Sequence, residues 1–135
     1  DSNKALIIHD RDAHDDVVRV LLDEGAPDKV VFHCFSGDGS LAQIAAEHGW
    51  YCSFAGTVTF KNSHNIREGL VALPKELILV ETDAPFLTPT PFRGRPNASY
   101  LIPLTVRYMA EVRGMPLDSL CEAISDNSNE VFGSF

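Results

Sequence analysis

The chain has 135 residues, with 11 Lys and Arg side chains against 19 Asp and Glu, which gives a formal net charge of −8. A hydrophobic fraction of 44% argues against disorder, and the length allows one domain with a core but not two. No apolar run approaches the ~18 residues of a membrane span, and the start, Asp1-Ser2-Asn3-Lys4, lacks the pattern of a secretory signal. The acidic balance disfavours long-range attraction to nucleic acid, but it permits a site that holds phosphate through a metal ion.

Four short apolar runs predict β-strands. Each is nearly continuous in Val, Ile, Leu or aromatic residues, which is typical of strands that are buried on both faces. The predicted strands are 5–9, 29–35, 51–55 and 77–83.

Helical segments follow each predicted strand. Asp12, Ser40 and Ser63 are the expected N-caps of the first three helices, and glycines mark several of the helix ends. The predicted helices run from 12 to 25, from 40 to 49, from 63 to 73, from 101 to 114 and from 116 to 132.

This alternation of strands and helices predicts an α/β fold of parallel β/α units in a single domain over 1–135. Two architectures agree with the order: an open doubly wound sheet and part of a (β/α)₈ barrel. A complete barrel needs about 250 residues, so the chain has roughly half the necessary length.

Residues able to bind a metal lie at the ends of three predicted strands. His9 ends the first, His33 is near the end of the second, and Asp83 ends the fourth. Because the carboxyl ends of parallel strands meet at one edge of the sheet, we expect these three side chains to lie on a common rim. Two imidazoles and a carboxylate form a ligand set that suits Zn, Mn or Fe.

Polar residues that suit an anionic substrate lie beside these candidates. Arg11 follows His9 closely and is able to hold a phosphate, although an ion pair with a neighbouring aspartate is the alternative. Glu81 lies two residues before Asp83, and a buried carboxylate there is expected to contact either a ligand histidine or a Lys or Arg side chain. The long loop 84–97 carries Arg93 and Arg95, which are expected to contact substrate; a surface loop with solvated arginines is the alternative.

Six motifs occur in order along the chain: 7–13 (IIHDRDA), 32–37 (FHCFSG), 53–62 (SFAGTVTFKN), 80–85 (VETDAP), 92–97 (FRGRPN) and 127–132 (NSNEVF). Together they resemble the TatD family of metal-dependent deoxyribonucleases. The resemblance covers nearly the whole chain, and the motifs occur in the family's order. In the last motif, Glu130 lies where a basic residue is usual.

The resemblance implies a TIM (β/α)₈ barrel of the amidohydrolase type, of which this chain is the C-terminal half, strands 5–8. His9, His33 and Asp83 match the family's metal ligands on strands 5, 6 and 8. The family's His-x-His pair on strand 1 and its Glu on strand 4 have no counterpart here, so we expect the isolated chain to bind metal poorly and to be inactive.

For the parent protein, the resemblance implies hydrolysis of phosphodiester bonds in DNA with one or two divalent ions (Mg, Mn or Zn). Asp83 is the expected ligand and base. Arg93, and more weakly Arg11, are expected to hold phosphate, and Phe60 or Phe92 to stack on a base. The alternatives are an amidohydrolase-type enzyme that acts on a small substrate and an inactive fragment.

Cysteine usage and strand edges complete the expectations. Cys34, Cys52 and Cys121 are odd in number and lie in apolar stretches, which indicates buried reduced thiols in a cytoplasmic protein. No Cys-x-x-Cys pair is present, so a zinc site built from cysteines is not expected. With no membrane span in the sequence, no membrane partner is expected. The first and fourth strands are expected at the sheet edges, covered by the missing N-terminal half or by another copy of the chain.

Overall fold

A computed structural model of the chain describes residues 4–133. The predicted domain, 1–135, includes residues 1–3 and 134–135, which lie outside the described residues. Four parallel strands form one sheet in the spatial order β1-β2-β3-β4. The strands are β1 (Leu6–His9), β2 (Val30–His33), β3 (Tyr51–Phe54) and β4 (Ile78–Val80).

Five α-helices alternate with and follow the strands, as the sequence predicts. Short 3₁₀ helices occupy Gly56–Thr59, Lys75–Leu77 and Ser99–Leu101. The α-helices are α1 (His14–Glu24), α2 (Gly39–His48), α3 (His64–Ala72), α4 (Ile102–Arg113) and α5 (Leu117–Phe132).

Two of the predicted helix starts are wrong by one or two residues. The N-cap of α2 is Asp38 rather than Ser40, because the Asp38 carboxylate accepts a hydrogen bond from the Leu41 N–H. The N-cap of α1 is Ala13 rather than Asp12, and the carboxylate of Asp10 accepts from the Ala13 N–H instead. Local polarity marks a helix start, but it does not decide which of several neighbouring side chains supplies the cap.

The two faces of the sheet have different surroundings. Side chains alternate between the faces along each strand, and paired residues of neighbouring strands share a face. One face carries Val30, Phe32, Cys52, Phe54 and Ile78, which pack with the helices into the main core. Hydrophobic burial on this face is the main stabilising contribution.

The opposite face is partly open. Val31 and Leu79 are buried there beside Val131 of α5, with Ala5 and Tyr51 packed against them. Glu81, two residues after Leu79, has the same parity as His9 and His33, so the candidate ligands share this face.

The expectation of burial on both faces is wrong for β1. Leu6 and Ile7 are 42% and 49% exposed, because β1 is an edge strand with a neighbour on one side only. The fourth strand is also shorter than predicted, since β4 ends at Val80 and Asp83 lies three residues beyond it. The predicted positions of the first and fourth strands at the two edges agree with the observed order.

The cysteines are free, as predicted, but only one is buried. Cys52 is fully buried in β3, Cys34 is half-buried, and Cys121 is exposed on α5. The prediction of three buried thiols is therefore wrong for Cys34, which lies in the loop just after β2, and for Cys121, because an apolar stretch of an amphipathic helix also includes surface positions. Within residues 4–133, none of the helices combines the length and the apolar character that a membrane span requires.

The two cysteines in β3 and α5 should differ in reactivity. Burial raises the pKa of the Cys52 thiol well above its usual value, so the thiol stays protonated at pH 8 and is shielded from reagents. We expect native Cys52 to react with iodoacetamide about 100-fold more slowly than Cys121. Mass spectrometry after labelling for different times would measure both rates. Equal rates for Cys52 and Cys121 would contradict the burial of the Cys52 side chain.

Asn127 joins α5 to the edge of the sheet. Its side-chain Nδ2 donates to the carbonyl oxygens of Lys75 and Ile78, each at 2.8 Å. Asn127→Ala leaves both acceptors without this donor, so we expect the free energy of unfolding to fall by about 2 kcal/mol. Urea denaturation would measure the loss, with the exposed Asn129→Ala in the same helix as the control. The same small loss in both variants would contradict this role.

Candidate metal centre

His9 and His33 lie side by side at the carboxyl ends of β1 and β2. They are paired in the register of the two strands, so their side chains leave the sheet on the same face. The centroids of the two rings are 5.9 Å apart. The sequence prediction that these histidines occupy equivalent strand ends agrees with this placement.

Glu81 and Asp83 reach the same edge from the segment after β4. The backbone N–H of Glu81 donates to the Phe54 carbonyl at 3.0 Å, so the chain continues alongside the end of β3. Asp83 then adopts a left-handed backbone with φ of +58°. This turn explains why Asp83 lies near His33 although it is outside the strand.

His33, Glu81 and Asp83 form a compact cluster. One nitrogen or oxygen atom from each residue lies within 4.8 Å of those of the other two. Glu81 Oε1 is 2.9 Å from His33 Nδ1, and Asp83 Oδ1 is 3.8 Å from His33 Nε2. The histidine thus faces a carboxylate on each side of its ring.

Glu81 also holds the loop that follows β2. Its Oε2 accepts a hydrogen bond of 3.0 Å from the backbone N–H of Cys34. The Oε1 atom is buried, and its contact with His33 Nδ1 lies outside hydrogen-bond geometry, so it has no hydrogen-bond partner among the described residues. A buried, incompletely satisfied carboxylate is costly unless a positive charge compensates it.

The electrostatics at this edge favour a cation. Burial, followed by the negative charges of Glu81 and Asp83, raises the pKa of the Cys34 thiol to about 11. Both carboxylates therefore act on the loop after β2 as a negative field. The same field attracts a divalent ion and opposes a further anion.

Strained backbone positions concentrate around the cluster. Asp12, Cys34 and Asp83 have φ values of +56°, +46° and +58°, and they follow β1, β2 and β4 respectively. Residues other than glycine avoid this region unless the surrounding structure holds them there. Three of the four non-glycine residues with positive φ within residues 4–133 therefore lie in the loops at this edge of the sheet.

The donor set fits a divalent cation. Glu81 Oε1 lies at ion-pair distance from His33 Nδ1 without hydrogen-bond geometry, and His33 Nε2 lies on the side of Asp83. A carboxylate near the ring nitrogen that does not bind the metal is common for ligand histidines. Imidazole nitrogen and carboxylate oxygen suit Zn and Mn. His9 is adjacent but is not a member of the three-residue cluster.

The segment after β1 depends on Asp10, which sequence reasoning did not single out. Its carboxylate is buried and contacts His14 Nδ1 as well as the Ala13 N–H, and its backbone carbonyl accepts from the Ser36 hydroxyl at 3.1 Å. The chain around His9 is therefore connected to the loop after His33. The signal available in the sequence was an acid four residues before a histidine at a helix start.

The loop after β4 places an arginine on an aromatic ring. The guanidinium of Arg93 lies 3.9 Å above the centroid of Phe60, and the guanidinium of Arg95 is 6.0 Å from that of Phe92. Phe60 and both arginines line one cleft of about 530 Å³. The sequence analysis named these residues separately without predicting that they pair.

Arg11, a predicted substrate contact, and Phe86, which was not predicted, are both exposed to solvent. Arg11 is exposed and has no ion pair with another residue in the range 4–133, so the alternative of an internal pair is not observed. Phe86, which the sequence analysis overlooked, is 68% exposed and lines the same cleft as Arg93. The signal in the sequence was an aromatic residue three positions after the candidate ligand Asp83, at the start of the long loop 84–97.

The comparisons with known proteins agree with this architecture. A Mycobacterium tuberculosis protein named as an uncharacterized metal-dependent hydrolase TatD is 42% identical over 132 residues, covering 98% of this chain and 50% of the relative. The Bacillus subtilis uncharacterized metal-dependent hydrolase YabD is 37% identical over 131 residues, with coverages of 96% and 51%. YJJV, a TatD homologue from Escherichia coli K12, superimposes with a TM-score of 0.89 at 28% identity, covering 97% of this chain and 51% of that structure.

Fold and site together define an α/β protein of parallel β/α units with a candidate cation site at the carboxyl edge of its sheet. Residues 1–133 match the family model described as TatD related DNase. The chain belongs to this family, which confirms the resemblance read from its motifs. It spans about half the length of the curated relatives it matches.

The cluster leads to a prediction about Glu81. Glu81→Gln keeps the size of the side chain but removes the charge that faces His33 Nδ1. We expect the affinity for Zn²⁺ to fall about 10- to 100-fold, as for other residues that orient a ligand histidine. Isothermal titration would measure it, with the exposed Glu122→Gln of α5 as the control. Unchanged affinity in Glu81→Gln would contradict the assigned contact.

Proposed function

We propose that the parent protein of this chain is a metal-dependent hydrolase that cleaves phosphodiester bonds in DNA. The observation that carries the proposal is the cluster of His33, Glu81 and Asp83 at the carboxyl edge of a parallel sheet. This edge is where α/β enzymes build their active sites. The relatives named as metal-dependent hydrolases support the hydrolase class.

His33 and Asp83, together with His9, are the proposed metal ligands. Glu81 is proposed to orient His33 rather than to bind the ion; the 2.9 Å distance between its Oε1 and His33 Nδ1 supports this role. When bound, a divalent ion (Mg, Mn or Zn, one or two in the parent protein) supplies Lewis acidity and lowers the pKa of a nearby water.

Asp83 is the proposed base. Its carboxylate is half-buried, lies close to His33 and projects from a turn at the open edge of the site. A carboxylate in this position is able to orient a water molecule and accept its proton during attack on phosphorus. We therefore assign to Asp83 the double role of ligand and base.

The cleft beside the cluster is the proposed contact surface for DNA. Arg93 and Arg11 are exposed cations in a chain with a net charge of −8, and they are placed to bind phosphate oxygens. Arg93 already covers one face of Phe60, so phosphate binding and base stacking would occur next to each other. Phe60 and the exposed Phe92 are the proposed stacking residues.

We further propose that the chain contributes strands 5–8 of a TIM (β/α)₈ barrel. The chain covers about half of its relatives, and β1 and β4 are edges of the described sheet. The exposed Leu6 and Ile7 on β1 are surfaces for the N-terminal half, or for another copy, to cover. The isolated chain is then inactive, because part of the ligand set lies elsewhere. We also propose that the parent protein is located in the cytoplasm.

The test is Arg93→Ala in the parent protein, assayed on a DNA phosphodiester and on an ester of similar leaving group. Loss of a charged hydrogen bond to phosphate should lower kcat/KM for the phosphodiester about 10- to 100-fold and leave the ester unaffected. The exposed Arg19→Ala, whose side chain pairs with Asp16 and Asp23 in α1, is the control.

Three outcomes would contradict the proposal. If the wild-type parent protein cleaves the ester but not the phosphodiester, the result favours an amidohydrolase-type enzyme that acts on a small substrate. An equal loss of kcat/KM on both substrates in Arg93→Ala would show that Arg93 makes no specific contact with the phosphate. Full activity of the isolated chain would show that the proposed half-barrel already contains the complete site.

A further inference from the structure

Asn97 is a buried amide at the end of the long loop that follows β4. It is 7% exposed, although the residues before it in the loop, 90–96, are exposed. Its side-chain Nδ2 donates to the carbonyl oxygens of Thr82 and Phe86, at 2.8 and 2.7 Å, and its Oδ1 accepts from the Ala98 N–H at 2.9 Å. The amide therefore uses both of its N–H groups and its oxygen.

The two carbonyl groups that Asn97 binds are on either side of Asp83. Thr82 directly precedes Asp83, and Phe86 closes the turn after it through a hydrogen bond of 2.9 Å from its N–H to the Asp83 carbonyl. Asp83 itself has a φ of +58°, a conformation that a non-glycine residue keeps only when its surroundings hold it. Asn97 supplies that restraint on both sides.

Asn97 also closes the loop that carries the arginines. Its backbone N–H donates to the Pro85 carbonyl at 2.9 Å, so the chain returns to the site after residues 86–96. Elsewhere the loop is fastened through Thr90, whose N–H and hydroxyl both bond to Thr59. Loss of the Asn97 side chain therefore frees the turn around Asp83, whereas the far part of the loop keeps its own contacts.

We propose that Asn97 is a positioning residue that holds the Asp83 carboxylate facing His33 Nε2. The inference rests on the proposed function, because it takes Asp83 to be a metal ligand. Only a side chain with two N–H donors satisfies both carbonyls. An aspartate of almost the same shape has none, so Asn97→Asp removes the restraint with little change in volume.

Asn127 provides a matched control. It is also 7% exposed, and its Nδ2 likewise donates to two backbone carbonyls, but these belong to Lys75 and Ile78 at the opposite end of β4. Asn97→Asp and Asn127→Asp thus impose the same chemical change at two places. A merely structural effect would appear in both variants.

The experiment measures Zn²⁺ affinity by isothermal titration in the parent protein, and it compares the wild type with both asparagine variants, Asp83→Asn and the double variant Asp83→Asn/Asn97→Asp. We expect Asn97→Asp to bind Zn²⁺ about 10- to 100-fold more weakly, and Asn127→Asp to stay within about twofold of the wild type. If Asn97 acts through Asp83, the double variant binds no more weakly than Asp83→Asn alone.

The outcomes separate the two proposals. Unchanged affinity in Asp83→Asn would refute the metal site itself. A loss in Asp83→Asn with no loss in Asn97→Asp, or equal losses in both asparagine variants, would refute the role of Asn97 alone. If Asn97→Asp does not fold, NMR of the wild type decides: Zn²⁺ should shift the side-chain NH₂ signals of Asn97 and not those of Asn127, and no shift at Asn97 would overturn the proposal.

Discussion

The carboxylate of Glu81 connects two separate parts of the sheet edge, and the arrangement of the site depends on that connection. One of its oxygens accepts the N–H of Cys34 after β2, and the other lies 2.9 Å from His33 Nδ1. Because β3 lies between β2 and β4, Glu81 reaches across the end of a strand to do this. Without it, the strained backbone at Cys34 would lose its hydrogen bond to the segment that carries Asp83, and the ring of His33 would keep only its 3.8 Å contact with Asp83.

The parallel sheet explains why this contact is possible. Parallel strands put their carboxyl ends at one edge, and the register of β1 with β2 brings His9 next to His33. The helices pack mainly on the face that carries Phe32 and Phe54. His9 and His33 leave the sheet on the opposite face, which is less covered. Burial thus stabilises one face while the opposite face remains accessible to ligands.

Much of this could be predicted from the sequence because hydrophobic runs and helix signals are local. The runs around Val31 and Leu79 locate β2 and β4, and the histidines at strand ends indicate the edge where a site belongs. The end of β4 could not be predicted, because the apolar run before Glu81 does not show at which residue the strand stops, and the turn at Asp83 depends on distant partners. Asn97 is the clearest such partner: its role comes from hydrogen bonds to Thr82 and Phe86, which lie 15 and 11 residues away.

The central claim is that a divalent cation binds between His33 and Asp83. The most direct measurement is anomalous X-ray diffraction from crystals of the chain prepared with saturating Zn²⁺. The account predicts the strongest anomalous peak at about 2.0–2.2 Å from both His33 Nε2 and an Asp83 carboxylate oxygen, with Glu81 remaining on Nδ1. A strongest peak at any other group of side chains, or no peak at this edge of the sheet, would contradict it.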